Sequence, residues 1–354
     1  MTSADSLIRR AREKGNPVIQ GNRATFVLET EDAPFLISDP TGWEDRPKPF
    51  KRLDSATQAW SCSLTVPRDA YVEYAFYYPE TDERFLDPLN PRSVNNGVGS
   101  RNNFFYMPEA TSSPYILRRA DVPVGALTRH RVDTWMMQDD AMRDVYLYTP
   151  PARGPVPLLV VYDGPDYLQR ARLTTVVENL VADKRMSPVA MAFLQNGRSR
   201  RHLEYICSDA TISWLDKEVL PLARQHIRLV NIRENPGAYG VLGASAGGIM
   251  ALYTGLRMPE IFGRVLSQSG VFSLEGRDLA AVDLVRYQHA HDIRIWMDIG
   301  LMDELLEDNR RMILLLHEKG YNVTYREFAG GHNFTSWRND IWRGLEEMFP
   351  YTPR

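Results

Sequence analysis

The segment Gly243-Ala244-Ser245-Ala246-Gly247 constrains this chain more than any other, because it is a G-x-S-x-G motif between two contrasting patterns. Residues 239–242 before it are short and apolar, as in a buried strand, and residues 248–253 after it have the pattern of a packed helix. A serine at such a sharp strand-to-helix turn has its hydroxyl lifted above the sheet, and glycine neighbours relieve the crowding. The N–H of Ala246, at the helix N-terminus, is then placed to bind a developing oxyanion.

A serine hydroxyl becomes a good nucleophile when a neighbouring base removes its proton, and His332 is the best candidate for that base. It lies in a glycine-flanked loop, after a predicted strand over residues 323–328 and before a predicted helix. Of the other histidines, His289 and His291 form an H-x-H pair, but no third ligand with suitable spacing accompanies them. We therefore expect a catalytic histidine and no metal site.

The base needs an acid that holds its tautomer and stabilises the imidazolium, and Asp303 is the acid we expect. It follows a predicted buried strand and precedes a predicted helix, so a helix N-cap is its alternative role. Asp298, at the end of that strand, is the competing acid, and Glu304 is a weaker third. The order Ser245, Asp303, His332 is the order of the triad in an α/β-hydrolase, and each residue follows a predicted strand.

The second oxyanion donor is expected from the loop after the first central parallel strand, residues 162–167. Pro165 has no N–H and cannot donate. The donor is therefore Gly164 or Asp166, and the sequence does not decide between them. Asp163 and Asp166 have two further roles open to them, which are contact with substrate and capping of the following helix.

The N-terminal part of the chain has the pattern of an all-β domain. Between residues 23 and 107, short β-branched or aromatic stretches alternate with turn formers, and this spacing predicts a sandwich of short strands. A short amphipathic helix is predicted over residues 3–14. We expect this domain to occupy residues 1–112.

After residue 115 the pattern changes to continuous apolar runs that alternate with helical stretches. Residues 157–162 are such a run, as in a strand buried on both faces, and residues 304–319 are a helical stretch. Strands that alternate with helices predict a mostly parallel sheet covered on both faces. We expect an α/β catalytic domain over residues 113–354.

Composition limits the partners of the chain. Hydrophobic residues make up 44% and charged residues 25%, as in soluble globular proteins, and the net charge of -3 favours neither nucleic acid nor a membrane surface as partner. We find no secretory signal and no apolar run long enough to span a membrane. The two cysteines lie in different predicted domains, so no disulfide framework is expected. We expect a cytoplasmic protein that needs no cofactor and acts on a small molecule; the oligomeric state stays open.

Four segments carry a resemblance to the esterase D-like group of α/β-hydrolases, and within it to the enterochelin esterase (Fes-like) siderophore hydrolases. They are residues 162–164, 243–248, 300–303 and 331–338, and the resemblance covers roughly residues 115 to 350. It implies an α/β-hydrolase fold with Ser245 as nucleophile, Asp303 as acid and His332 as base. Pro165 departs from the pattern of the group at the oxyanion loop.

The N-terminal part is similar to early-set, immunoglobulin-like domains, including those of enterochelin esterases. The residues that carry this weaker resemblance are 39–43 and 87–92. It implies a domain that can help to bind the ligand.

A cationic stretch is the main sequence indication of the substrate. Arg198, Arg200 and Arg201 follow a predicted strand, at the sheet edge where open α/β sheets bind ligands. These arginines would suit an anionic ferric tris-catecholate, and a solvated loop is the equally open alternative. Tyr167 and Trp337 are candidates for aromatic walls, with core packing the alternative for Trp337.

Together these features predict acyl transfer through a covalent acyl-enzyme, and three hypotheses follow. The first is an esterase that opens the trilactone of a catecholate siderophore and releases its iron. The second is a feruloyl or acetyl esterase that acts on carbohydrate-linked esters. The third is a non-catalytic binding protein on a hydrolase scaffold, against which the intact set of serine, acid and histidine argues.

Overall fold

The structure, a computed structural model, describes residues 3–53, 58–97, 99–137 and 142–353. The chain divides into two compact units. The first runs to Thr111 and also includes Gly300–Glu304 and Phe328–Ser336, whereas the second contains Ser112–Ile299, Leu305–Glu327 and the chain from Trp337 onward. The domain division at residues 112 and 113 stays a prediction, and the first compact unit includes two later segments that the sequence did not assign to it.

The first unit contains two antiparallel sheets of short strands. Its elements are α1 (Ser3–Lys14), β1 (Val18–Gln20), β2 (Arg23–Glu29), β3 (Phe35–Ser38), β4 (Lys48–Pro49), β5 (Lys51–Arg52), β6 (Ala59–Thr65), β7 (Tyr71–Tyr78), β8 (Glu83–Phe85), β9 (Ser93–Asn95) and β10 (Arg101–Tyr106). One sheet has the order β1-β2-β6-β5, and the other has the order β4-β3-β7-β10-β9 with β8 paired to β7.

Side chains from both sheets form one buried cluster in this unit. Phe26 and Cys62 come from one sheet, and Val72, Tyr74 and Phe105 come from the other. The rings of Phe26 and Tyr74 pack edge to face with their centroids 4.7 Å apart. Alternate residues of each strand thus point into a shared core, which makes the unit the predicted sandwich.

The second unit is built around a mixed sheet. The strands that follow the sandwich are β11 (Ala126–Val132), β12 (Arg143–Thr149), β13 (Leu158–Val161), β14 (Ala190–Leu194), β15 (Tyr239–Ala244), β16 (Phe262–Gln268), β17 (Ser273–Leu274), β18 (Arg277–Asp278), β19 (Arg294–Gly300) and β20 (Asn322–Phe328). The large sheet has the order β11-β12-β14-β13-β15-β16-β19-β20. Strands β11 and β12 are antiparallel to their neighbours, and β14, β13, β15, β16 and β19 are parallel.

The helices follow the strands, as the alternating sequence pattern predicts. They are α2 (Gly164–Gln169), α3 (Leu173–Ala182), α4 (Arg201–Tyr205), α5 (Asp209–Trp214), α6 (Leu220–His226), α7 (Ala246–Arg257), α8 (Ala280–Tyr287), α9 (Leu306–Glu318) and α10 (Phe334–Met348). Every residue of β13, β14 and β15 is buried, because helices cover the central strands on both faces. The predicted fold class is confirmed.

None of the helices in the described ranges is both long enough and apolar enough to cross a membrane.

Candidate active site

Ser245 occupies the sharp turn between β15 and α7 that the motif predicts. Its backbone has φ 58° and ψ −124°, a strained conformation for a residue with a side chain. The N–H of Ser245 donates to the carbonyl oxygen of Gln268 at 2.9 Å, and the carbonyl oxygen of Ser245 accepts from Gly248 at 2.9 Å. Ser245 is half-buried, whereas Ala244 and Ala246 on either side are buried. This strained turn, the elbow (residues 243–247), therefore presents the serine at its tip.

Close approach of neighbouring atoms requires glycine at position 243 of the motif and at position 248 just after it. A Cβ atom on Gly243 would lie 2.1 Å from the carbonyl oxygen of Gly247, and one on Gly248 would lie 2.9 Å from Oγ of Ser267. The start of α7 therefore packs directly on the end of β15, which no larger residue at position 243 permits.

Two backbone N–H groups of the second unit suit an oxyanion. Ala246 and Gly164 are the first residues of α7 and α2, and the first N–H groups of a helix have no acceptor within it. The N–H of Asp166 already donates to the carbonyl oxygen of Asp163 at 3.0 Å. The geometry therefore favours Gly164 over Asp166, the choice that the sequence left open.

Asp163 is held by an ion pair rather than exposed to a substrate. Its buried carboxylate accepts two hydrogen bonds from Arg201, at 2.8 and 2.7 Å, and one from Nδ2 of Asn196 at 2.6 Å. Arg201 also donates to the carbonyl oxygen of Ala244, the residue before Ser245, at 3.3 Å. The side chain of Asp163 makes no capping bond to α2. Asp163 and Arg201 thus brace the elbow. The Asp163 carboxylate is buried and fully engaged, which argues against its predicted contact with substrate, whereas the predicted substrate contact of Arg201, whose side chain is 22% exposed, stays a prediction.

Arg198 and Arg200 lie in an exposed turn just before α4. The turn is anchored because the N–H of Gly197 donates to Glu204 at 2.6 Å, and Glu204 forms a buried ion pair with Arg143 at 2.8 Å. Arg198 and Arg200 are therefore the two arginines of the predicted cationic stretch that lie in an exposed turn.

Tyr167 and Trp337 lie in the interior. The hydroxyl of Tyr167 donates to Oε1 of Gln268 at 2.9 Å, and the indole N–H of Trp337 donates to Oγ of Ser269 at 2.9 Å. Both rings are buried, so they support the strand end beside the elbow. This corrects the expectation that they line an open aromatic wall.

Asp298 belongs to the same buried network and not to the histidine. Nε2 of Gln268 donates to both of its carboxylate oxygens at 3.1 Å, and the indole N–H of Trp296 donates at 2.9 Å. Burial raises the pKa of Asp298 well above its usual range, and repulsion from Asp340 adds to the rise.

Sequence reasoning missed Gln268, which links Asp298 and Tyr167 to the backbone of Ser245. The sequence signal that could have identified Gln268 was its position as a polar residue at the end of an otherwise apolar strand pattern.

Asp303 and His332 form a hydrogen-bonded pair in the first unit. Nδ1 of His332 lies 3.0 Å from Oδ2 and 3.1 Å from Oδ1 of Asp303. The Asp303 side chain is fully buried, whereas that of His332 is 20% exposed. An imidazole that donates from Nδ1 to a carboxylate presents Nε2 as its basic nitrogen. Helix α9 begins at Leu306, so Asp303 is not its N-cap.

Glu304 is the third titratable group at this pair. Its Oε1 lies 4.0 Å from Nδ1 of His332, and its side chain is 47% exposed. Ligand atoms of Asp303, Glu304 and His332 lie within 4.8 Å of one another, close enough to hold a metal ion. Nδ1 of His332 is already paired with Asp303, as in a base held by its orienting acid, and that role stays a prediction.

The structure thus joins Asp303 and His332 by a hydrogen bond in one unit, and Ser245, Ala246 and Gly164 belong to the other.

Residues 137–348 match the profile of a protein family described as putative esterase. The iron(III) enterobactin esterase of Escherichia coli O6:H1 is 26% identical in an alignment 338 positions long, which covers 86% of this chain and 82% of that protein. The iron(III) enterobactin esterase of Dickeya dadantii is 30% identical in an alignment 286 positions long, which covers 73% of this chain and 63% of that protein.

Two solved structures show how far the fold is shared. The enterobactin esterase of Shigella flexneri, crystallised in the presence of enterobactin, covers 96% of this chain and 97% of its own at a TM-score of 0.77 and 22% identity. A ferulic acid esterase from Anaeromyces mucronatus covers 66% of this chain and 93% of its own at a TM-score of 0.55 and 14% identity. The chain therefore has the α/β-hydrolase fold of these esterases.

Proposed function

This chain belongs to the putative esterase family and is a carboxylic ester hydrolase, and from that premise we propose that it opens the trilactone of a catecholate siderophore with Ser245, His332 and Asp303 as its triad. Iron is the cargo of that substrate and not a cofactor of the enzyme. Release of iron after uptake would place the reaction in the cytoplasm, which is part of the proposal.

The extent of the sequence match is the observation that carries the substrate class. The iron(III) enterobactin esterase of Escherichia coli O6:H1 aligns with 86% of this chain, more than the α/β part alone contains. The ferulic acid esterase covers 66% of it. Similarity to a siderophore esterase thus extends over more of the chain than similarity to a ferulic acid esterase does, and this favours a siderophore ester over a carbohydrate-linked ester as the substrate.

In the proposed first step, Oγ of Ser245 attacks the ester carbonyl carbon while Nε2 of His332 takes the hydroxyl proton. The carboxylate of Asp303, at 3.0 Å from Nδ1, stabilises the imidazolium that forms. The N–H groups of Ala246 and Gly164 stabilise the tetrahedral oxyanion, each by about 3 kcal/mol.

In the second step, His332 gives its proton to the leaving alkoxide, and the carbon–oxygen ester bond breaks to leave an acyl-enzyme. Water then attacks the acyl carbon, again with His332 as base. The products are the free acid and the regenerated Ser245 hydroxyl.

Arg198 and Arg200 are the residues we assign to the anionic ferric form of the substrate. Both lie in an exposed turn. Guanidinium groups attract catecholate oxygens and stack on aromatic rings, so both contacts suit a tris-catecholate.

The direct test is a product analysis. Purified protein is incubated with enterobactin, both iron-free and ferric, and in parallel with feruloylated sugars, and the products are measured by mass spectrometry. We expect dihydroxybenzoyl-serine products that disappear with Ser245→Ala. Ferulate release without trilactone opening would support the carbohydrate-linked alternative, and hydrolysis of neither would overturn the proposed substrate.

A further inference from the structure

A carboxyl group from the N-terminal residues lies against the turn that carries His332. Asp39 follows β3, and its side chain belongs to the same compact unit as Phe328–Ser336. Asp39 is only 3% exposed. A residue of the sandwich therefore packs on the loop of the proposed base.

Both sequence neighbours of His332 contact this carboxyl group. A Cβ atom built on Gly331 would lie 2.2 Å from Cγ of Asp39, so the backbone of Gly331 rests directly on the carboxyl. Nδ2 of Asn333 donates to Oδ2 of Asp39 at 3.3 Å. The N–H of Asn333 donates to the carbonyl oxygen of Gly331 at 3.0 Å, which closes a tight turn around His332.

Asp39 is in turn held by strand β7. The N–H of Glu73 donates to Oδ2 of Asp39 at 2.8 Å, and the N–H of Tyr71 on the same strand donates to the carbonyl oxygen of Ala329 at 3.1 Å. One strand thus anchors both the carboxyl group and the start of the loop. Strand backbone is among the most rigid parts of a fold, so it is a suitable support for a catalytic side chain.

The environment of Asp39 differs from that of a surface carboxylate. Its Oδ1 is buried without a hydrogen-bond partner among the described residues. Burial raises the pKa of Asp39 well above its usual range, and repulsion from Glu73 and, more weakly, Asp303 adds to the rise. A buried carboxyl group of this kind costs stability, and such costs are often retained where a group serves function.

We propose that Asp39 is a positioning residue for His332, so that the sandwich takes part in catalysis by holding the base and not only in binding a ligand. The inference rests on the proposed function, in which His332 is the base. Asp39 itself contacts Gly331 and Asn333 and acts through them.

A positioning role has a kinetic signature. If Asp39 holds His332 in place, its loss lowers kcat even on a short, neutral aryl ester, whereas KM stays within about twofold because the substrate contacts are unchanged. A displacement of about 1 Å at a catalytic group can cost a hundredfold in rate. We expect Asp39→Ala to lower kcat by about that factor. Asp39→Asn keeps an acceptor oxygen for Glu73 and Asn333, so it should retain most of the activity.

Asp87→Ala is the matched control, because Asp87 is also 3% exposed and burial also raises its pKa. Its partners are Asn16, Tyr74 and Leu89 of the same sandwich and not the loop of His332. Both alanine variants should lower the melting temperature, but only Asp39→Ala should lower kcat per folded molecule. Equal kcat losses in the two variants, or an unchanged kcat in Asp39→Ala, would overturn the proposal.

A second variant tests the contact even if Asp39→Ala fails to fold. Asn333→Asp keeps the acceptor that caps α10 through the N–H of Ser336, at 2.9 Å, but replaces the Nδ2 donor to Oδ2 of Asp39 with an oxygen. We expect it to lower kcat about tenfold and to leave KM for the aryl ester within about twofold. An unchanged kcat in Asn333→Asp would refute the contact as a determinant of rate.

Labelling of the serine separates this inference from the proposed function. A fluorophosphonate should label the wild-type enzyme at Ser245 rapidly and Asp39→Ala slowly. If Ser245→Ala hydrolyses the aryl ester at the wild-type rate, the proposed function itself is wrong. If activity requires Ser245 but does not change in the Asp39 variants, only the present inference fails.

Discussion

Nδ1 of His332 lies 3.0 Å from Oδ2 of Asp303, whose side chain is fully buried, whereas the carboxylate of Asp298 is paired with Gln268 and Trp296. Asp303, the acid expected from the sequence, and Asp298, its competitor, therefore have different partners. One orients an imidazole, and the other belongs to the packed strand ends beside the elbow.

Asp303→Asn should lower kcat on an aryl ester by about 10⁴-fold, because an amide at this position favours the wrong imidazole tautomer. Asp298→Asn keeps an acceptor for Gln268 and should lower kcat by less than about tenfold. Steady-state kinetics of both variants, with folding checked by circular dichroism, make the comparison. A larger loss in Asp298→Asn would show that the assignment of the acid is wrong.

Ser245→Ala should abolish ester hydrolysis and labelling by a fluorophosphonate, because the variant lacks the attacking oxygen. The turn tolerates alanine sterically, so the melting temperature should change little. Ser100→Ala, at an exposed position of the sandwich, is the control and should keep full activity. Persistent hydrolysis by Ser245→Ala would mean that another nucleophile operates.

Arg201→Met should destabilise the fold by about 3–5 kcal/mol, since it leaves the buried carboxylate of Asp163 without its bidentate partner. The double variant Arg201→Met/Asp163→Asn should recover part of this loss because no buried charge is left unpaired. Urea unfolding of the three proteins measures the coupling. Additive losses in the double variant would contradict an ion pair that braces the elbow.

Arg198→Ala and Arg200→Ala should raise KM for ferric enterobactin several-fold and leave KM for a neutral aryl ester unchanged, because an anionic ligand gains most from the two guanidinium groups. Higher salt should shrink the difference from wild type. Arg228→Ala, at another exposed arginine, serves as the control. Equal effects on both substrates would argue against a role in charge recognition.

Asp298 should also make the stability of the protein depend on pH. Its pKa is raised in the folded state, so the folded chain retains a proton that the unfolded chain has lost above about pH 4. The free energy of unfolding therefore falls as pH rises through this range, and Asp298→Asn should flatten the fall. Urea unfolding of the wild type and of Asp298→Asn at about pH 5 and about pH 8 gives the slope of the free energy of unfolding against pH for each protein. Identical slopes in the two proteins would show that Asp298 does not titrate as inferred.

Local patterns in the sequence determined the fold class and the strand–turn–helix that carries Ser245, the proposed nucleophile. Alternation in the first hundred residues predicts the sandwich, and the apolar runs that alternate with helices predict the parallel sheet. Five consecutive residues and their flanks predict the elbow, because a strand, a sharp turn and a helix each have a recognisable local sequence pattern around Ser245.

Tertiary structure alone decided what each remaining polar side chain touches. Asp298 and Asp303 have similar local settings, and only packing separates their partners. Arg201 is part of the cationic stretch but pairs with Asp163, and Tyr167 ends the predicted oxyanion loop but is buried. Asp39 meets Asn333 across 294 positions of the chain. Periodicity reports the face on which a residue lies, whereas the hydrogen-bond partner of a buried polar group depends on elements that only folding brings together.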